Sequence, residues 1–250
     1  KLWADSYNAG IGFYNNGRDS ASYYDQAIAS FKMAIEAMPD TSSTYYVGAL
    51  ALYAKKDYSE SMKLLNTCIS KDPKKTEAIR LLGQIHLQVG REKKDAKDEA
   101  GAMEEYKQAA DAYEKLYESA PSNIDNIVSL IDVYERTGMN DKALNLTSNC
   151  VKSDPQNRVC RFVYGVYLLK RDQFGESIEQ LKAVIDLEPN NVDEMHKDAT
   201  YNLGVANLNW GVAMKEAADK KAEEARAVAK GQKGKKKIDN IPDDLSYKEK

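Results

Sequence analysis

The stretch S-M-K-L-L-N-T-C-I-S-K-D-P-K-K, Ser61 to Lys75, is a helix with its stop written in. Ser61, Leu64, Leu65 and Cys68 recur at the three- and four-residue spacing of one helical face. Pro73 ends that face, because proline has no amide hydrogen and its ring collides with the preceding turn. The same stop returns along the chain. Pro39, Pro73, Pro121, Pro155 and Pro189 lie 34, 48, 34 and 34 residues apart, the odd interval exceeding the period by 14.

Alignment on these prolines brings further positions into register. Twelve residues before each stands a small side chain: Ala27, Ser61, Ala109, Ala143 and Ser177. Eight before stand Phe31, Leu65, Tyr113, Thr147 and Leu181, with Leu146 beside the ill-fitting Thr147. Ten residues after a proline come Ala49, Gly83, Ile131 and Gly165, and Gly10 and Gly204 hold the equivalent place in the first and last units. Glycine inside a helix costs about 1 kcal/mol relative to alanine, so it marks a place where a neighbouring helix comes close.

A 34-residue period, two helices per period, a small residue inside the first helix, Ala or Ser opening the second and proline at the end resemble the tetratricopeptide repeat. The resemblance implies an all-α fold, a right-handed superhelical α-solenoid of antiparallel helix pairs. It covers about five full units, 3–40, 41–74, 75–122, 123–156 and 157–190, and the first helix of a sixth, 191–214. Residues 215–250 are expected to be a charged insertion followed by the start of the last helix.

The period is broken in three places. A short insertion near Asn16 to Ser22 and about 14 extra residues around Arg91–Ala100 predict a longer turn or longer helices, the second with i,i+4 ion pairs on a solvated surface. In the sixth unit the first helix is expected from about Asp198 to Met214. Lys215 to Lys237 then carries nine basic and four acidic residues, Gly231 and Gly234 are expected to break any helix, and Asn240–Lys250 reads as a turn restarting one.

Composition bounds the function. With 250 residues, 42% of them apolar, the chain can bury a substantial core, and a formal charge of -3 gives no chain-wide attraction to nucleic acid or anionic lipid. No apolar run reaches the roughly 18 to 20 residues that span a bilayer. The chain opens at Lys1-Leu2-Trp3 without a leader-like stretch, so it is expected to be a fragment, and its start does not choose between the two compartments expected of a soluble protein here, a bacterial cytoplasm or periplasm/envelope.

Catalytic chemistry finds no footing. The sequence shows no phosphate loop, nucleophile elbow or dinucleotide turn. His86 occupies a packing position three residues after Gly83, and His196 lacks companions at metal-ligand spacing. No enzyme activity, metal or cofactor is expected. Cys68 reads as core. Cys150 and Cys160 stand five residues either side of Pro155, which would allow a disulfide in an oxidising compartment, while two reduced core thiols remain the simpler reading.

By the resemblance, function lies on the concave face, lined by the first helix of each pair. The inward positions put Tyr7 and Tyr14 in unit one, Tyr46, Leu50 and Tyr53 in unit two, Arg80 and Gln84 in unit three, Val128 in unit four, Phe162 in unit five and Tyr201 in unit six. Tyrosines beside an arginine are the residue types enriched at binding hot spots, so a peptide or helix of a protein partner is the expected ligand. The Lys and Asn with which some members of the family hold a carboxylate terminus are replaced by Tyr46, Leu50 and Tyr53, which argues against tail clamping. Electrostatic contact through Lys230 to Lys237 is the alternative. That cluster has neither interleaved aromatics for base stacking nor an apolar face for lipid. Self-association through an uncovered face of the last helix is a further expectation.

Overall fold

The computed structural model describes residues 1–18 and 20–238, with side chains as far as Val228. Among the described residues there are eleven helices and no strand: α1 (Leu2–Asn16), α2 (Ala21–Ala37), α3 (Ser42–Ala54), α4 (Tyr58–Lys71), α5 (Thr76–Asp95), α6 (Glu99–Ser119), α7 (Ile124–Arg136), α8 (Asn140–Ser153), α9 (Arg158–Leu169), α10 (Phe174–Leu187) and α11 (Glu194–Ile238). The chain divides into a unit of Lys1–Pro155, holding α1 to α8, and a unit of Gln156–Lys250, holding α9 to α11. Within each unit every helix packs on the next in chain order.

Short polar side chains start the helices. Asp57, Asp98, Asn123 and Asn157 each accept a hydrogen bond from the amide three residues on, satisfying a donor that the first turn leaves open. Asp193 does the same for His196 at the head of α11.

The turns inside four of the pairs share a left-handed residue: Lys56, Lys97, Gly138 and Asp172, with φ of 63°, 65°, 70° and 57°. The amide after each reaches back to a carbonyl of the preceding helix, Asp57 to Leu52 at 2.9 Å and Gln173 to Leu168 at 3.0 Å, for example.

The repeat marks acquire physical roles. Ser61 Oγ donates to the Ala49 carbonyl at 2.8 Å, and Ser177 Oγ donates to that of Gly165 at 2.8 Å. The small residue opening a second helix thus lets the helices close and, where it is serine, joins them by a buried hydrogen bond. The large residue one turn later fills the space over the central small one. A methyl group at Gly10 would lie 2.5 Å from the Phe31 ring, at Gly83 3.1 Å from Tyr113, and at Gly165 2.9 Å from Leu181. Thr147 is buried as well, together with Leu146, its hydroxyl bonded to the Ala143 carbonyl at 3.0 Å.

The 14 additional residues of the third pair lengthen both helices: α5 has 20 residues and α6 has 21, against 13 and 14 in α3 and α4. The expectation of surface i,i+4 ion pairs needs correcting, because contacts between the two helices hold the extension. Gly90 lies under the Tyr106 ring, and Glu105 of α6 is clamped by two side chains of α5.

The last helix also departs from expectation. It does not end near Met214 but continues to Ile238, 45 residues in all. Ala, Lys, Glu and Gln, all strong helix formers, carry Gly231 and Gly234 inside it, each at a cost of about 1 kcal/mol relative to alanine. The restart expected over Asn240–Lys250 lies outside the described residues. No described helix is long and apolar enough to cross a membrane.

Candidate functional site

Five of the inner positions of the first unit come from α1 and α3. Tyr7 stacks on Trp3 with centroids 5.2 Å apart and meets Phe31 edge-on at 6.2 Å. Tyr14 leans on Tyr24 at 5.8 Å, and Tyr53 on Tyr58 at 5.9 Å. Trp3 Nε1 donates to Thr44 Oγ1 at 3.1 Å, tying α1 to α3. Tyr46, Leu50 and Tyr53 pack partly against the core of Tyr45, Ala49, Leu65 and Ile85, while Tyr14 packs against Ala27 and Phe31.

All of Tyr7, Tyr14, Tyr46, Leu50 and Tyr53 are half-buried, each ring braced by the core and still open on one side. Burial pushes the Tyr46 phenol above its ordinary value, with Glu77 and Tyr14 adding to the effect, and the Lys75 ammonium stands 5.7 Å over its ring. Burial also raises Tyr14, helped by Tyr24 and opposed by Arg18. These phenols stay neutral at physiological pH, and each offers a hydrogen-bonding tip on an apolar body.

Further along, the inner face changes character. Arg80 Nη1 donates to Asn126 Oδ1 at 2.7 Å, and Asn126 Nδ2 donates to the Leu116 carbonyl at 3.1 Å. Arg80 therefore joins α5 to α7 instead of standing as an open cation beside the tyrosines. Asp132, one turn after Val128 on α7, is engaged by Arg136 Nε at 3.0 Å and approached by Arg91 at 3.5 Å. Gln84 and Val128 face solvent, Val128 with 40% of its surface exposed.

In the second unit Phe162 is packed against Leu181, Val184 and Ala199, whereas Tyr201 is 72% exposed. Tyr164, bonded to Glu176 at 2.7 Å, has its phenol pushed up to about 12 by burial and that bond. The structure thus gathers Tyr7, Tyr14, Tyr46, Leu50 and Tyr53 on adjoining helices, assigns Arg80 and Phe162 to helix joints, and leaves Gln84, Val128 and Tyr201 open.

Sequence reasoning did not single out Asn126, Trp3 or Glu105. Asn126 had a legible signal: it stands five residues after Pro121, where other units place the buried Thr44, Ala78 and Cys160. A polar residue there must be hydrogen-bonded. Glu105 had none, since its partners arise from the elongated pair. His86 Nδ1 lies 2.7 Å from Glu105 Oε2, and Lys93 Nζ donates to Oε1 at 2.6 Å. Burial alone would raise the Glu105 carboxyl, but these two bonds outweigh it and hold it below the usual range.

Other sites are sparse. A cleft of about 320 Å³ lies between α2, α3 and α4, floored by Phe31, Ile35, Leu52 and Leu64 and flanked by the Lys55–Asp25 ion pair. Among the described residues no group of three potential metal ligands comes together. Cys68 is free and buried, its thiol pushed up by that burial. The side chains of Lys230 to Lys237 lie outside the described residues.

Residues 102–184 match the family model described as anaphase-promoting complex, cyclosome, subunit 3. No curated protein matches the chain. Among solved structures, a MamA protein is similar with a TM-score of 0.57 at 17% identity, over 75% of this chain and 92% of that one. MamA 41-end from Desulfovibrio magneticus RS-1 is similar at 0.56 and 16%, over 76% and 98%. YrrB, a TPR protein with an unusual peptide-binding site, gives 0.52 and 18%, over 76% and 91%. Paired helices, the serine-to-carbonyl joints, the filled glycines and these likenesses together show that the chain has the tetratricopeptide-repeat fold.

Proposed function

We propose that the chain is a non-catalytic scaffold that holds a peptide or helix of a partner protein on the inner face of its first helices. The observation that carries this reading is the half-buried tyrosine set of α1 and α3, Tyr7, Tyr14, Tyr46 and Tyr53, with Leu50 among them. Tyrosine has only two side-chain torsions, and these rings are already braced by Trp3, Phe31, Tyr24 and Tyr58, so ordering them on binding costs little. Their hydroxyl tips suit the exposed backbone groups of an extended peptide. Gln84 and Val128, both open to solvent, extend the contact line toward α7. The peptide-binding site named for YrrB, a protein of similar fold, supports the same class of ligand.

The test is a peptide-display selection against the chain, with the selected peptides measured on Tyr14→Ala/Tyr46→Ala/Tyr53→Ala. Arg80 is left intact, because replacing it would break the bond to Asn126 and confuse folding with binding. A loss of at least about tenfold in affinity with unchanged circular dichroism is expected. Equal binding by both proteins would reduce the tyrosines to packing.

A further inference from the structure

The last helix contains both halves of a helix joint, and neither is used among the described residues. Gly10, Gly83 and Gly165 each lie under a large side chain of their own second helix. Gly204, the equivalent residue of α11, has nothing within 4 Å of the position a methyl group would take, and the same is true of Gly211. On the same exposed side of the helix stand Tyr201, 72% exposed, Leu208, 68% exposed, and Val212, 50% exposed. The opposite side of α11 is occupied: Ala199 is fully buried in the cluster with Leu181 and Val184 of α10, and Ala206 is fully buried as well.

The order along the open face is Tyr201, Gly204, Leu208, Gly211, with spacings of three, four and three. That is the heptad rhythm of a helix seam, with large residues at one seam position and glycines at the other. Antiparallel helix seams set one kind of position against the other. Two such helices related by a twofold axis that crosses the open face at the level of residue 206 place Tyr201 over the partner's Gly211 and Leu208 over the partner's Gly204. The face is complementary to itself in this register, as an isologous interface requires. It repeats the local chemistry of Gly83 with Tyr113 and of Gly165 with Leu181.

We propose that α11 pairs antiparallel with α11 of a second copy of this chain, with Leu208 filling the space over Gly204 and Tyr201 that over Gly211. Large apolar side chains with half or more of their surface in water are otherwise costly, and the pairing buries them. The register also brings Lys197 opposite Lys215. Lys197 is held at 2.6 Å by Glu194, which offsets part of that repulsion.

The experiment is sedimentation velocity of the 250-residue chain over a concentration series, with Gly204→Leu, Leu208→Glu and, outside the register, Glu223→Gln. Gly204 stands in open space, so the leucine occupies the socket without straining the fold, which circular dichroism checks. The expected result is a monomer–dimer equilibrium in the wild type and in Glu223→Gln, weakened at least about tenfold by either seam variant. A wild type that stays monomeric throughout overturns the proposal, as does a dimer that neither seam variant weakens. A monomeric Gly204→Cys protein whose new thiol resists a maleimide also overturns it, since another segment of the same chain would then cover the face.

Discussion

Gly10 and Gly204 occupy the same place in the repeat, yet one lies in a close helix contact and the other is open. Above Gly10 three ring atoms of Phe31 lie within 2.9 Å of where a methyl group would sit, while above Gly204 no atom of the described residues lies within 4 Å. The residue type is identical and so is its helical setting. Whether a glycine is a packing requirement or a weak point therefore depends on the facing helix, not on the helix that carries it.

Removing the filler should give the largest effect. Phe31 is 1% exposed, and Phe31→Ala is expected to lose about 3–5 kcal/mol in urea unfolding of the first unit, since it removes an aromatic core side chain and leaves a cavity beside Gly10. If the loss is under about 1 kcal/mol, the Gly10 joint is not the close contact described.

The same contrast can be read from the glycines themselves. Gly10→Ala must displace a ring that is fixed in the core and is expected to lose about 1–3 kcal/mol. Gly204→Ala enters open space and should stabilise α11 by up to about 1 kcal/mol, measured at concentrations where the chain is monomeric. Two substitutions identical on paper should thus have opposite signs, and equal signs would remove the distinction between filled and open helices.

The elongated pair offers a gentler test, because its extension is held by a charge cluster as well as by Gly90 and Tyr106. Glu105 has a carboxyl below its ordinary range, so its contribution to stability is present above the unfolded value near pH 4.5 and disappears as pH falls through the folded one. Glu105→Gln is expected to cost about 1–2 kcal/mol near neutral pH and almost nothing once the pH has fallen below the folded value, where both proteins carry a neutral group. A pH-independent difference would assign the loss to packing.

The smallest signal is chemical. A bridge between Cys150 and Cys160, proposed from their equal distance to Pro155, should make the oxidised protein lighter by two hydrogens than the reduced one, with Cys68 still alkylated only after unfolding. A thiol count of three in an oxidising buffer would leave the two cysteines as separate core residues.

Much of the architecture was legible because its physical causes repeat. Proline stops a helix wherever it falls, and a small residue four before a large one recurs where two helices cross, so Pro73, Ser61 and Leu65 announce their roles without reference to the rest of the chain. Four tyrosines of the candidate site followed from the same register.

What sequence order could not supply was the identity of facing residues. The open role first given to Arg80 fails because Asn126, 46 residues away, comes within 2.7 Å and takes its guanidinium. Phe162, expected on the groove, turns into the joint with α10 and α11 because Leu181, Val184 and Ala199 provide a dry surface there. The elongation of α5 and α6 was predictable as length, while the clamp on Glu105 arises only when the two extensions lie side by side.

The sequence by itself therefore determined the helix pairs, their stops and which positions must be small, since these depend on backbone chemistry and steric size within one turn. The tertiary structure decided which polar groups are already satisfied, which tyrosines remain open and that Gly204 and Gly211 of α11 meet no described side chain. Those are properties of pairs of residues brought together by folding, and a one-dimensional pattern records only one member of each pair at a time.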